Sequence, residues 1–339
     1  MRSHPTRPAA FFSWSMSSPM TPDRSLPDGA CERQSICQVV VFKWPEWASN
    51  QGLKMIFRTL VASAVAASCF LATPAAADQS TLDRIKETST IKLGHRENSP
   101  PFSFVGDDKK AMGYSVDLCL RVADDIARQL NIPDLKVQWV AVSAESRFDA
   151  VKNGDIDIEC GNTTQTIGRR ANFDFSLMTF IDGASMLFLR DGNPKSLEDV
   201  KGQRIVVVAG TTTEKAMDLL VADKTLGLQL IKVKDHKEAL ADLKSKKASA
   251  YAADRTVLIT TALLGGGGTE YSIGDNQFTY EPYGLMMRRD SDMRLAVDRS
   301  LAQLYRTGEI GPVLKKWFGP LGNPGEVLKV MVLLNALPE

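Results

Sequence analysis

Two stretches, SRFDAVKNGDIDIECGNTT (146–164) and KEALADLKSKKASAYAADRTV (237–257), run in the same order through a helix, a polar turn, a strand and a polar loop. This repeat predicts two similar lobes. Around each copy, strands and helices alternate: strand IKLG (91–94), helix VDLCLRVADDIARQL (116–130) and strand KVQWVAV (136–142) precede the first. Strand and helix within LEDVKGQRIVVVAGTTTEKAMDLLV (197–221) and strand LQLIKVK (228–234) precede the second. Alternation of this kind is the pattern of an α/β fold.

Two apolar strand-like passages, GASMLFLR (183–190) and YGLMMRR (283–289), flank the second set. The closing segment LAQLYRTGEIGPVLKKWF (301–318) reads as two helices that return to the first lobe. The expectation is a bilobed molecule, with lobe 1 built from 78–186 and 287–339 and lobe 2, 187–286, inserted into it. Bending is expected at 183–190 and 283–289.

The N-terminus carries a different kind of signal. Lys54–Arg58 form a basic start, 59–72 (TLVASAVAASCFLA) a short apolar run, and Ala75–Ala77 an A-x-A cleavage site, so 55–77 reads as an export signal. Fourteen apolar residues fall short of the ~20 that span a membrane. Residues 1–54, rich in Pro, Ser and Trp and without periodicity, are expected to be a disordered, non-native extension upstream of a start at Met55.

Cleavage after Ala77 leaves 34 basic and 36 acidic side chains, a formal net charge of −2, which argues against a nucleic-acid partner. It removes three of the five cysteines. The remaining Cys119 and Cys160 can pair in an oxidising compartment or stay as buried thiols. With two histidines, His95 and His236, and no CxxC, no metal or other cofactor is expected.

Polar loops at strand ends supply the candidate site: Arg96 in GHRENSPPFSF (94–104), Arg147, the NTTQTIGRR loop with Arg169, the GTTT loop (210–213), His236 and Asp254. They are opposite charges without a nucleophile. Thr211 and Glu214 have the spacing of a capping box, and a helix N-terminus is also an anion site. A carboxylate at the end of the small-residue strand ASAYAAD requires a cationic or hydrogen-bonding partner.

GYSVDLCLRVA, the NTT loop followed by an arginine, VVVAGTTTE, AADR and the terminal WFGPLGNP together resemble the periplasmic solute-binding proteins of amino-acid ABC transporters. GHRENSPPFSF, DIECGNTT and KDHKEAL resemble the glutamate/aspartate-binding branch. The resemblance runs from about Ser80 to the C-terminus. It implies the type II periplasmic-binding-protein fold, two lobes joined by two hinge strands, and a monomer that delivers glutamate or aspartate to an inner-membrane permease.

The resemblance also implies residue roles. Arg169, with Thr164 and Thr212, matches the clamp on the ligand α-carboxylate; Asp254 matches the acceptor for the α-ammonium, together with the carbonyl of Asn162. Arg96, Arg147 and His236 match the holders of the side-chain carboxylate. Three arginines against Asp254 leave a formal surplus of +2, which a dicarboxylic amino acid offsets better than a neutral one. Glu97 and Glu159 stand near enough in sequence to reduce that surplus. Ala144 replaces a family serine, and Leu285 a family cysteine able to pair with Cys160. No enzyme activity is expected. The alternatives are a broader glutamine/asparagine receptor and a periplasmic cyclohexadienyl (prephenate/arogenate) dehydratase-like enzyme, for which Glu97 and Glu159 are the candidate acids.

Overall fold

A computed structural model describes residues 79–339, apart from 192, 193, 195, 223, 323 and 324. The expected export signal and upstream extension lie outside the described residues.

Helix α1 (Thr81–Thr88) leads into β1 (Thr90–His95), followed by the short strands β2 (Asn98–Ser99), β3 (Ser103–Val105) and β4 (Ala111–Met112). Then come α2 (Tyr114–Leu130), β5 (Lys136–Ala141), α3 (Arg147–Asn153), β6 (Ile158–Glu159), α4 (Ile167–Arg170), β7 (Asp174–Phe175), β8 (Phe180–Asp182) and β9 (Ala184–Leu189). The middle of the chain forms β10 (Arg204–Val208), α5 (Thr212–Ala222), β11 (Gln229–Val233), α6 (His236–Lys244), β12 (Ala250–Asp254), α7 (Arg255–Leu264) and β13 (Tyr271–Ile273). It ends with β14 (Glu281–Tyr283), β15 (Met286–Met287), α8 (Ser291–Arg306), α9 (Ile310–Phe318) and α10 (Glu326–Asn335).

Two five-stranded sheets result, in the orders β5-β1-β6-β15-β7 and β11-β10-β12-β9-β13. In each, a parallel core (β5, β1, β6; β11, β10, β12) is extended by antiparallel strands. The second sheet is covered on both faces, and its residues sort by the two-residue period of a strand. Met186, Phe188, Ile205, Ala250 and Ala252 pack into one core. Leu187, Val206, Val208, Tyr251 and Ala253 pack into the core on the other side.

Helix α2 shows why these residues form a helix and where it points. Tyr114, Leu118, Cys119, Val122 and Ile126 recur three to four residues apart and are all buried, while Asn131, at φ 56°, ends it in the left-handed conformation. Gly113 begins the helix at φ 138°, pressed so close to Phe102 that a Cβ would lie 2.2 Å from its carbonyl oxygen. Cys119 of this helix is disulfide-bonded to Cys160, with Cα atoms 6.0 Å apart. The helix is thereby stapled to the strand end that carries Asn162.

The chain crosses between sheets twice, at β8 and β14, which pair antiparallel with Glu281 opposite Asp182. The stretches expected to bend, 183–190 and 283–289, begin beside or within these crossing strands. β9 is bonded to β12 and β13 inside the second sheet, and β15 to β6 and β7 inside the first, so ladder hydrogen bonds hold both stretches. An aromatic cluster grips the crossing strands at one end: Phe102 lies 5.0 Å from Phe180 and 5.1 Å from Tyr283, and Phe180 stacks 4.8 Å from Phe318.

Candidate functional site

The loops that leave the C-terminal ends of β1, β6, β10, β11 and β12 converge on one cavity, the place where open α/β sheets bind ligands. Arg96, Arg147, Asn162, Thr164, Thr212, His236 and Asp254 line it, with Thr211, Thr213, Val208 and two alanines of β12; its empty space, mouth included, is about 370 Å3. Seven of the eight sequence-derived candidates therefore meet at one point. The structure does not bring Arg169 to the wall. Its Nη1 donates to the Thr164 carbonyl (2.8 Å) and its Nη2 to the Gly210 carbonyl (3.5 Å), with the guanidinium 5.0 Å from the Phe148 ring.

Arg96 and Arg147 are 4 % and 3 % exposed, which makes them the buried cations of the site. Burial and the neighbouring Arg147 push the Arg96 guanidinium down to about 9, against the opposing pull of Glu159 and Asp235. Burial likewise lowers Arg147, and it lowers Arg169 to about 10 with help from Arg147. Among the described residues none of the three arginines has a carboxylate within ion-pair distance, and the buried Nε of Arg147 has no hydrogen-bond partner at all. The site holds clustered positive charge that its own side chains do not fully satisfy.

His236 caps this end. Its Nδ1 is hydrogen-bonded to the Tyr251 hydroxyl. Burial, Arg96 and Arg147 push its imidazole down to about 3, so the ring is neutral at ordinary pH.

The opposite end is acidic. Asp254 accepts from the Tyr283 hydroxyl, from Asn162 Nδ2 (3.3 Å) and from Thr213 Oγ1 (3.3 Å). Burial, Glu281 and Asp182 push its carboxyl up to about 8, and burial pushes Asp182 up to about 6. Sequence reasoning missed Glu281, Asp182 and Tyr283. The signal was the run YEPYG (280–284), in which a carboxylate sits between apolar neighbours in a strand-like passage. Glu281 is 1 % exposed and accepts the hydroxyls of both Thr164 and Thr212, the latter at 2.7 Å.

The threonine loops are fixed from outside the cavity as well. Thr211 accepts from the Glu214 N–H (3.0 Å), as its capping-box spacing predicts, while the return bond to the Glu214 carboxylate comes from the Gly210 N–H (2.7 Å), one residue before the cap. Loop 162–165 is tied to the crossing strand: Gln165 N–H donates to the Pro282 carbonyl (2.8 Å) and Gly284 N–H to the Thr163 carbonyl (3.2 Å).

The chain as a whole has counterparts among known proteins. Residues 91–320 match the bacterial extracellular solute-binding proteins, family 3. The chain belongs to that family. It is 37% identical to an L-glutamate/L-aspartate-binding protein of Pseudomonas aeruginosa, over 77% of this chain and 87% of the relative. It is 32% identical to a glutamate/aspartate import solute-binding protein of Escherichia coli, over 73% and 82% respectively. Among solved structures it resembles an ancestral amino acid-binding protein described as a precursor of cyclohexadienyl dehydratase, with TM-score 0.62 and 27% identity, covering 70% of this chain and 100% of that one. Family membership makes this a solute-binding protein of the extracytoplasmic type. Among the described residues no helix is long and apolar enough to cross a membrane.

Proposed function

We propose that this family member binds glutamate or aspartate and hands it to an inner-membrane ABC permease, after export directed by residues 55–77. The observation that carries the reading is the pair Arg96 and Arg147: two buried guanidinium groups on a cavity wall, without an ion-pair partner among the described residues. A ligand carboxylate placed between them, with neutral His236 as a third donor, supplies the missing acceptor. Asp254, across the cavity, takes the α-ammonium. The relatives named for glutamate and aspartate support the same reading.

In this scheme the α-carboxylate meets the backbone N–H groups at the start of α5 and at Thr164, and Arg169 either turns from its carbonyl partners to join them or braces the loop from behind. The ligand's contacts with both lobes would favour the closed arrangement over an open one.

A second reading, a receptor for glutamine and asparagine as well, draws support from Glu159 and Glu281. With these and Asp182 counted beside Asp254, four carboxyl groups face three arginines, so the formal surplus behind the acidic preference disappears. Hydrogen-bond satisfaction rather than net charge then decides, since neither Arg96 nor Arg147 has an ion-pair partner among the described residues and the Arg147 Nε has no hydrogen-bond partner. A thermal-melt panel separates the readings. Glutamate and aspartate should raise the melting temperature by several degrees at 1 mM, with glutamine and asparagine far less effective. Equal shifts from the amides would establish the broader receptor, and prephenate turnover would replace both with an enzyme.

A further inference from the structure

Glu281 has a role that follows from counting protons. It stands on β14, where the chain crosses between sheets, and one of its oxygens, Oε2, accepts the hydroxyls of Thr164, which follows β6 of the first sheet, and of Thr212, which opens α5 beside the second. A threonine hydroxyl has a single proton and two lone pairs. With both protons directed at Glu281, the two hydroxyls, 3.3 Å apart, can only accept from whatever else they meet. Both residues line the cavity. They therefore present lone pairs to the ligand and match a donor, not a carboxylate oxygen.

We propose that Glu281 is a positioning residue that fixes the polarity of the Thr164 and Thr212 hydroxyls, and so makes the cavity selective for ligands bearing an ammonium group over otherwise identical dicarboxylates. This rests on the amino-acid reading above. It also changes the part that the resemblance gives Thr164 and Thr212: their hydroxyls join Asp254 in receiving the ammonium, and only their backbone N–H groups remain for the α-carboxylate. An acceptor at position 281 is what the device needs. Glutamine provides one through its side-chain carbonyl, whereas leucine, of similar volume, does not.

The test is the ratio of dissociation constants for glutarate and glutamate, two molecules that differ only in the ammonium, measured calorimetrically on the wild-type protein and on Glu281→Leu, Glu281→Gln and Thr212→Val. The expected result is a wild-type ratio well above ten, a fall of at least tenfold in Glu281→Leu and Thr212→Val, and a change within about threefold in Glu281→Gln. A general structural role would weaken both ligands together and leave the ratio unchanged, which overturns the proposal. So does a loss in Glu281→Gln as large as in Glu281→Leu, because the charge and not the acceptor would then be acting. Thr212→Val carries the test should Glu281→Leu fail to fold. Absence of glutamate binding by the wild-type protein would instead refute the amino-acid reading, before any variant is compared.

Discussion

In the proposed scheme Asp254 links ligand recognition to pH. Its carboxyl, raised to about 8, holds a proton at neutral pH, but an arriving ammonium favours the ionised form. Binding below pH 8 must therefore release a proton, and affinity for glutamate should rise from pH 6 to pH 8 by up to about tenfold per unit. Calorimetry at pH 7 in phosphate and in Tris, which differ in ionisation enthalpy, reads the proton directly; Asp254→Asn should bind weakly and release none. The sign for folding is the reverse. A carboxyl whose folded-state value is raised keeps its proton when the unfolded chain has lost it, so its contribution to stability is fully present below about 4 and declines as pH rises toward 8.

Arg96 makes the complementary case. Removing one of two buried, mutually repelling guanidinium groups relieves the empty protein while it removes a carboxylate partner. Arg96→Met should melt at a higher temperature without ligand, yet bind glutamate at least a hundredfold more weakly; calorimetric scans and titrations check the two halves. At this scale much of the site was legible in the sequence, because Arg96, His236 and Asp254 follow strand-like runs and strand ends converge in α/β folds. Glu281 was legible only as a carboxylate between apolar neighbours in YEPYG, not as a member of the site. Its partners lie over 60 residues away in the chain, and the β8–β14 pairing that places it leaves no periodic trace.

At the scale of elements, the disulfide and Gly210 each carry a testable consequence. The Cys119–Cys160 bond closes a loop of sequence separation 41, which in the chain-entropy view stabilises by about 4 kcal/mol. Reduction should lower the melting temperature by roughly 8–16 °C, given 2–4 °C per kcal/mol for a domain of this size, with α2 loosened from the Asn162 loop. The sequence left the pairing open because it depends on how α2 packs over β6, not on spacing. Gly210, at φ 77°, offers its carbonyl to Arg147 (3.3 Å) and Arg169, and a Cβ there would lie 2.8 Å from the Ala144 carbonyl. Gly210→Ala should hold the second sheet's loop off the first and weaken glutamate binding at least tenfold by calorimetry. The alternation of strands and helices was readable from periodicity. Four helices were not anticipated: α1 and the short α4, which lies inside the stretch read as the NTTQTIGRR loop, α7, which directly follows the Asp254 strand end without a break, and α10, an apolar run with Leu333 and Leu334 exposed.

The described residues form two five-stranded sheets joined by the β8–β14 ribbon, beside a small three-stranded sheet, and the loops of both large sheets meet over the cavity through Asn162 with Asp254 and Thr164 with Thr212. Loop 162–165 is hydrogen-bonded to β14, so in the proposed scheme a ligand on that loop is coupled to the crossing strand. The central claim is that this cavity takes a dicarboxylic amino acid through Arg96 and Arg147. Calorimetric titration of ligand-free protein with glutamate, aspartate and glutamine tests it most directly. The account predicts one site per chain, with glutamate or aspartate bound at least tenfold more tightly than glutamine. Equal or tighter binding of glutamine would contradict it.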